Sequence, residues 1–178
     1  DILHIMCSTG ELTAKLAKRG FNLTGLDVTE AMVYEAEDKM NSEKIETGEI
    51  IQDDARYFNL GKRFDFAFIA SSDFHHFTER KEIDNFLAKT YAHLRKGGGL
   101  ALELLEIPDE DFHRGETKFE PERAPPENMT LWKRNKASYH SDSKTYEITE
   151  EIHVEVDDDV KNVEYEILFQ LYTKDRMK

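Results

Sequence analysis

Short apolar runs alternate with amphipathic stretches over the first 107 residues, and this alternation constrains the fold more than any other feature. The apolar runs are Ile2–Cys7, Phe21–Leu26, Glu49–Gln52, Phe64–Ala70 and Leu100–Ile107. Parallel strands need long crossover connections, which are usually helices and are right-handed. The pattern therefore predicts an α/β fold with one mostly parallel sheet and flanking helices, of the Rossmann-like kind.

The helices between these strands are predicted from cap residues and apolar spacing. Ser8 and Glu11 have capping-box spacing, which is typical of a helix start. Thr29 and Thr78 occupy cap positions before two later amphipathic stretches. Gly97–Gly99 follows the last stretch and is predicted to end that helix.

The sequence changes character after the fifth apolar run. All four prolines of the chain lie within residues 108–128, where most of the other residues are charged, so this segment is predicted to be a connector. The runs Met129–His140, Thr145–Val156 and Val163–Tyr172 follow it and predict an antiparallel meander.

We therefore expect a core at 1–107, a connector at 108–128 and an antiparallel β segment at 129–173. Because the antiparallel segment follows the fifth strand and has one alternating apolar face, we expect it to cover the ligand end of the parallel sheet as a lid and substrate wall.

Composition and charge exclude several classes of function. The formal net charge of −13 repels phosphate backbones, so no nucleic-acid partner is expected. No apolar run approaches the ~20 residues that cross a bilayer, so no membrane partner is expected and the protein is predicted to be cytoplasmic. The single cysteine, Cys7, cannot form an internal disulfide or a cysteine cluster, and no metal site is predicted. The oligomeric state stays open.

A small ligand is expected above the loop Ser8–Gly10, because open α/β sheets bind ligands at the carboxyl ends of their strands. Asp27 ends the second predicted strand, where an acidic side chain can accept both ribose hydroxyl protons of an adenosine. The alternative interpretation of Asp27, as a helix-capping or surface residue, stays open at this point.

Five segments of the predicted core carry recognisable motifs: Ile2–Leu12, Leu26–Met32, Gln52–Arg56, Phe64–Ser72 and Leu94–Leu100. Together they resemble the motifs of the class I S-adenosylmethionine-dependent methyltransferases. The segments Ile2–Leu12 and Leu26–Met32 resemble the first and second motifs, and Gln52–Arg56 resembles the adenine-contacting motif. The segments Phe64–Ser72 and Leu94–Leu100 resemble the fourth strand and the turn before the fifth strand. The resemblance implies S-adenosylmethionine as the cofactor and a small molecule as the substrate.

The first motif departs from the family at the glycine loop. The family has an acidic residue at the His4 position and glycines at the Met6, Ser8 and Gly10 positions, around the methionine part of the cofactor. Only Gly10 is kept here. Because glycine allows positive φ and close approach of a ligand, the loop is degraded relative to the family.

The resemblance implies roles for several residues beside the cofactor. In the family, Asp54 would accept from the exocyclic amine of adenine and the Ala55 N–H would meet the ring edge. Backbone groups of Ala70 and Ser71 would approach the amino end of the cofactor. The complete set of implied cofactor-binding residues is Met6, Cys7, Ser8, Gly10, Asp27, Val28, Met32, Asp54, Ala55, Ala70 and Ser71.

Methyl transfer depends mainly on proximity and orientation, so it requires no metal. The candidates for a catalytic base are Asp73, His75 and His76, which follow the fourth predicted strand at the ligand end of the sheet. A turn role for Asp73, and packing roles for the two histidines over neighbouring phenylalanines, are the structural alternatives.

The leading hypothesis is therefore an S-adenosylmethionine-dependent methyltransferase acting on an N or O nucleophile of a small molecule. The alternative is a catalytically degenerate binding or regulatory domain of the same fold. A nicotinamide enzyme is the third interpretation, and the first turn lacks the G-x-G-x-x-G motif that it needs. Since the family's final helix and strand pair are missing, we expect the chain to be a fragment of a longer protein.

Overall fold

The structure is a computed structural model that divides into two compact units, Asp1–Leu104 and Leu105–Lys178. It describes residues 1–104, 116–119, 128–140, 142–143, 145–157 and 159–172. No described helix is both long enough and apolar enough to span a membrane.

The first unit is an α/β layer structure with a five-stranded parallel sheet. Its elements are β1 (Ile2–Ile5), α1 (Glu11–Ala17), β2 (Leu23–Asp27), α2 (Glu30–Ser42), β3 (Glu49–Gln52), β4 (Phe64–Ile69), a 3-10 turn (Asp73–His76), α3 (Arg80–His93) and β5 (Leu94–Leu102). The strand order is β3-β2-β1-β4-β5, and every neighbouring pair is parallel. The predicted α/β class with a mostly parallel sheet is confirmed.

The core explains why the central strands are apolar runs. Strands of a parallel sheet that is covered by helices are buried on both faces and therefore lack polar alternation. Leu3 and Ile5 of the central strand β1 and Leu26 of its neighbour β2 are fully buried. Helix α1 buries Ala14 and Ala17 in a cluster with strand β2.

The predicted cap residues of two helices are wrong, although α1 begins at Glu11 as expected. Helix α1 is capped by the left-handed Gly10 without a side-chain hydrogen bond, because Ser8 lies in the loop before it. Helix α3 begins with a capping box between Glu79 and Glu82, and not with a Thr78 cap. One Glu82 carboxylate oxygen accepts the N–H groups of both Thr78 and Glu79, at 3.0 and 3.2 Å.

The triple glycine belongs to strand β5, and it does not end helix α3 as predicted. The helix ends at His93 and the strand begins at Leu94. Gly97 has φ 85°, and the pairing with β4 shifts register between Phe64 and Phe66. A Cβ on Gly98 would lie 3.0 Å from two backbone oxygens. Glycine is therefore used for a bulge and a close backbone approach.

The second unit contains a four-stranded antiparallel sheet, which confirms the predicted meander. Its strands are β6 (Glu116–Phe119), β7 (Met129–His140), β8 (Thr145–Val156) and β9 (Asp159–Gln170), in the order β6-β7-β8-β9. Strand β6 lies within 108–128, for which no strand is predicted. Strand β9 begins before Val163, because Val156 already pairs with Asp159. Asp157, directly after β8, has a left-handed backbone with φ 54°.

Candidate functional site

Two adjoining cavities lie where the strands of the parallel sheet end. Their volumes are about 400 and 260 Å³. Met6, Ser8 and Asp73 line both cavities, so these three residues form a shared wall. This is the carboxyl edge of the sheet, where open α/β folds bind their ligands.

The larger cavity combines an apolar wall with several charged groups. Its other lining residues are Leu26, Asp27, Val28, Thr29, Met32, Asp53, Asp54, Ala55, Arg56, His76, Phe77 and Glu82. Apolar surface with placed polar groups is typical of sites for drug-sized ligands. The cavity therefore suits a small ligand that has both apolar and polar surface.

The smaller cavity lies between the loop after β1 and the loop after β4. Its other lining residues are His4, Cys7, Thr9, Glu11, Leu12, Ala70 and Ser71. The structure thus brings together all the predicted cofactor-binding residues around the two cavities except Gly10.

The loop after β1 keeps a glycine-like backbone although two of its glycines are missing. Met6 has φ 59° and Ser8 has φ 50°, both in the left-handed region. A non-glycine residue in this region is destabilised by roughly 1–2 kcal/mol. The loop therefore has the backbone shape that glycine favours, with side chains that make this shape costly.

Gly10 has a structural role that differs from ligand contact. Its φ is 73°, and a Cβ at this position would lie 2.8 Å from the Cβ of Ala36 on helix α2. Only glycine allows this approach without a shift of α2. Gly10 therefore sets the packing of the loop against helix α2, and it lines neither cavity.

Hydrogen bonds from the second strand hold the loop in place. The Asp27 carboxylate accepts the N–H groups of Ser8 at 2.9 Å and Thr29 at 3.0 Å. The Cys7 N–H donates to the Leu26 carbonyl at 2.9 Å. Asp27 is therefore both a helix-entry residue and a wall of the larger cavity, so the two interpretations of its sequence position are compatible.

Three lining residues of the larger cavity form an ion-pair network, namely Asp54, Arg56 and Glu82. The Arg56 guanidinium donates to the Asp54 carboxylate from Nη2 at 2.6 Å and to Glu82 from Nη1 at 2.5 Å. Hydrogen bonds from Arg56 hold the pKa of Asp54 below its usual value. Asp54 therefore faces the cavity as a carboxylate that is already paired.

Acidic side chains surround the shared wall. Burial, with the negative charges of Asp27 and Glu103, raises the pKa of Asp73 to about 6. The Glu103 carboxylate also accepts the Ser71 N–H at 2.9 Å. Negative charges that raise the pKa of a neighbouring carboxyl also favour a positively charged ligand beside it.

The two candidate histidines occupy different environments. His76 lines the larger cavity, and burial together with His75 lowers the pKa of His76, so it is neutral near pH 7. His75 is 1% exposed and lines neither cavity. Asp73 and His76 are therefore the two candidate bases that face the cavities.

His4 stands at the position that is acidic in the family. It is 3% exposed, it stacks on Phe68 at 4.3 Å, and its Nδ1 shares a 2.7 Å hydrogen bond with Thr13 Oγ1. Burial lowers the pKa of His4 to about 4, although the Asp27 charge opposes this shift. The position therefore contributes no negative charge to the site.

Cys7 lines the smaller cavity as an unreactive thiol. Burial first, and the Asp27 charge second, raise the pKa of Cys7 to about 12. A thiolate is needed for nucleophilic or metal-binding chemistry. Within the described residues, no three histidine, cysteine or carboxylate side chains are grouped to hold a metal ion.

Sequence reasoning missed several residues of the site. Asp53, Arg56 and Phe77 line the larger cavity, and Glu103 shapes the charge beside it. Glu82 had a detectable signal, because it lies three residues after Glu79 in capping-box spacing. Glu103 had no such signal, because its effect on Asp73 arises only in the folded protein.

Comparison with known sequences identifies a family for most of the first unit. The sequence profile of the family described as "Methyltransferase domain" matches residues 2–98. The chain is also 30% identical over 103 residues to a Geobacillus sp. (strain WCH70) protein that is named as a methyltransferase by inference. That match covers 58% of this chain and 41% of the Geobacillus protein, so the chain spans less than half of this relative.

Solved structures share the fold at low sequence identity. The sugar N-methyltransferase KedS8 from Streptoalloteichus sp. superposes with a TM-score of 0.83 at 18% identity, over 98% of this chain and 67% of that one. The structure of CalS10 with bound S-adenosylmethionine, an amino pentose methyltransferase from Micromonospora echinaspora, superposes with a TM-score of 0.75 at 21% identity. It covers 99% of this chain and 70% of that one.

Proposed function

Because the chain belongs to the methyltransferase domain family, we propose that it binds S-adenosylmethionine and methylates a nitrogen or oxygen nucleophile of a small molecule. One observation carries this proposal: the two cavities meet at Met6, Ser8 and Asp73. An elongated ligand with a nucleoside at one end and an amino acid at the other fits this arrangement.

The larger cavity suits the adenosine part. Val28, Met32 and Ala55 provide apolar surface for a flat base. Each Asp27 carboxylate oxygen accepts one backbone N–H group, so lone pairs remain for ribose hydroxyls. The residues present therefore fit the nucleoside.

The smaller cavity suits the amino-acid part, and the charge of the shared wall suits a sulfonium. Ala70 and Ser71 line this cavity, but the Ser71 N–H already donates to Glu103. Asp27, Asp73 and Glu103 place negative charge where the two cavities meet. A ligand with positive charge at this point relieves their mutual repulsion.

The bound cofactor supplies an electrophilic methyl group on sulfur. The residues of this chain orient the two reactants and accept the proton that leaves the nucleophile. Asp73 is the proposed base because it lies at the shared wall and titrates near working pH. His76 is the second candidate, and the burial of His75 favours a packing role for that residue.

The substrate class rests on two of the structural neighbours. One is a sugar N-methyltransferase and another is an amino pentose methyltransferase, so we favour a small molecule that carries an amino group. We also propose that residues 129–173 form the substrate wall. Trp132 is the only tryptophan of the chain, so energy transfer from it to a fluorescent adenosyl ligand tests this placement. Transfer is expected if the sheet covers the site, and its absence contradicts the placement.

A binding or regulatory domain is the second candidate function. The observation that favours it is the left-handed backbone of Met6 and Ser8, which has a conformational cost that the family's glycines avoid. Such a domain binds the cofactor weakly, or not at all, and transfers no methyl group.

Two measurements separate the candidate functions. Calorimetric titration with S-adenosylmethionine measures binding, and incubation of the protein with methyl-labelled cofactor and a panel of amino sugars measures transfer. The proposed enzyme gives both signals. Binding without transfer across the panel favours the binding domain, and no binding by the wild type or by a loop variant with both glycines restored contradicts the cofactor proposal.

A further inference from the structure

The acceptor capacity of Asp54 is taken up by one neighbouring residue. Its Oδ1 accepts from the Arg56 backbone N–H at 2.8 Å and from Arg56 Nε at 2.9 Å. Its Oδ2 accepts from Nη2 at 2.6 Å and from Nε at 3.2 Å. We call this set of hydrogen bonds the Asp54–Arg56 fork. A carboxylate offers about four lone-pair sites, so the fork leaves little room for a hydrogen-bond donor of a ligand.

The Arg56 guanidinium is itself fixed, which keeps the fork closed. Its Nη1 donates to Glu82, and the guanidinium lies 5.5 Å above the Tyr57 ring. Glu82 is in turn fixed by the backbone at the start of helix α3. Opening the fork would therefore break a network that also caps a helix.

Asp53 lines the same cavity and has acceptor capacity to spare. Its Oδ1 accepts the Asp54 N–H at 2.8 Å, and its own N–H donates to the Asp27 carbonyl at 3.0 Å. Within the part of the chain that the structure describes, the Asp53 carboxylate has no cationic partner. Its backbone is therefore fixed beside Asp27, and none of the described residues donates a hydrogen bond to its Oδ2.

We infer that Asp53, and not Asp54, accepts the exocyclic amine of the nucleobase, and that the Asp54–Arg56 fork is a positioning element. This inference rests on the proposed function, because it assumes an adenosyl ligand in the larger cavity. Asp53 then determines specificity for a base with an amino group at its 6-position. A 6-oxo base would instead place an acceptor against the carboxylate, which is repulsive.

The test compares two neutral ligands that differ at this position, S-adenosylhomocysteine and S-inosylhomocysteine, by calorimetric titration. A hydrogen bond to a charged group contributes enough for a ten- to hundredfold preference. The wild type is therefore expected to prefer the adenosyl ligand at least tenfold. In Asp53→Asn the preference is expected to fall to within about threefold, because the amide can donate to the 6-oxo group.

Asp54→Asn is the matched control, and Asp53→Glu tests rescue. Asp54→Asn loosens the fork and is expected to lower the affinity for both ligands by a similar factor. The preference for the adenosyl ligand should therefore persist. Asp53→Glu keeps a carboxylate acceptor at this position, so it should retain most of the preference for the adenosyl ligand. Thermal unfolding of each variant verifies that it is folded.

The possible outcomes distinguish this inference from the function on which it rests. If the wild type binds both ligands equally, or if only Asp54→Asn abolishes the preference, the assignment to Asp53 is overturned while the proposed function stands. If the wild type binds neither ligand, the proposed function fails and the inference fails with it.

Discussion

The carboxylate of Asp27 accepts the backbone N–H of Ser8 at 2.9 Å, across 19 positions of sequence. This bond ties the end of strand β2 to a loop whose backbone is left-handed at both Met6 and Ser8. The residue expected to bind the ribose therefore also holds the loop that separates the two cavities. Ligand affinity and loop conformation are coupled through one side chain.

Asp27→Ala is expected to weaken S-adenosylhomocysteine binding by roughly ten- to a hundredfold. Hydrogen bonds to charged groups contribute about 1.5–3 kcal/mol, and the variant loses those to the ribose as well as the support of the loop. Calorimetric titration measures the change. Asp65→Ala is the control, because Asp65 lies at the start of strand β4, where it pairs with Arg95. Equal affinities of the Asp27→Ala variant and the wild type would reject the ribose assignment.

Restoring both glycines of the loop is expected to tighten binding. In Met6→Gly/Ser8→Gly the two left-handed positions lose their side-chain penalty, and a tenfold gain corresponds to about 1.4 kcal/mol. We expect at least that gain for S-adenosylmethionine.

Lys44→Gly is a matched control for the glycine variant. Lys44 has φ 54° after helix α2 and lines neither cavity, so this change should stabilise the fold without altering affinity. Urea unfolding and titration are measured on both variants. An unchanged affinity of the double variant means that the loop has adapted to its side chains.

Asp73→Asn is expected to stabilise the fold while it removes methyl transfer. Because the folded state raises the pKa of Asp73 to about 6, from an ordinary value of 3.8, ionisation of Asp73 opposes folding. At pH 7 the variant should gain about 1–2 kcal/mol in the free energy of unfolding, and below pH 4 the gain should vanish. Urea unfolding across this range measures the effect. A destabilised variant at pH 7 would contradict the assigned environment.

His4 is expected to have the opposite effect on stability in the same pH range. Its pKa falls to about 4 in the folded state, so the unfolded chain binds the extra proton between pH 4 and 6.5. The His4 contribution to stability therefore rises with pH, while the Asp73 contribution falls. Relative to the wild type, Asp73→Asn should show a steeper rise of stability from pH 4 to 6.5, and His4→Gln a shallower one. Parallel curves for all three proteins would refute both assignments.

The strands could be predicted from the sequence because burial determines their composition. Strands β7 and β8 begin and end where the alternating pattern does, at Met129–His140 and Thr145–Val156. The cap residues of the helices were harder to predict from the sequence. Whether Ser8 caps a helix or lies in a left-handed loop depends on the acceptor that Asp27 provides, and that contact is tertiary.

The site was predictable where its residues follow strand ends, and not where it depends on side-chain pairing. Asp27 and Asp73 follow from the positions of strands β2 and β4. The saturation of Asp54 depends on Arg56 and Glu82, and Glu82 is 26 positions away from Arg56. No local pattern indicates that Asp54 is already paired.

The central claim is that the two adjoining cavities bind one elongated, cationic adenosyl ligand. Calorimetric titration of the wild type and of Met6→Gly/Ser8→Gly with S-adenosylmethionine tests it most directly. We predict saturable binding with one ligand per chain, weak in the wild type and at least tenfold tighter in the glycine variant. The absence of binding to both proteins, at ligand concentrations up to the millimolar range, would contradict the claim.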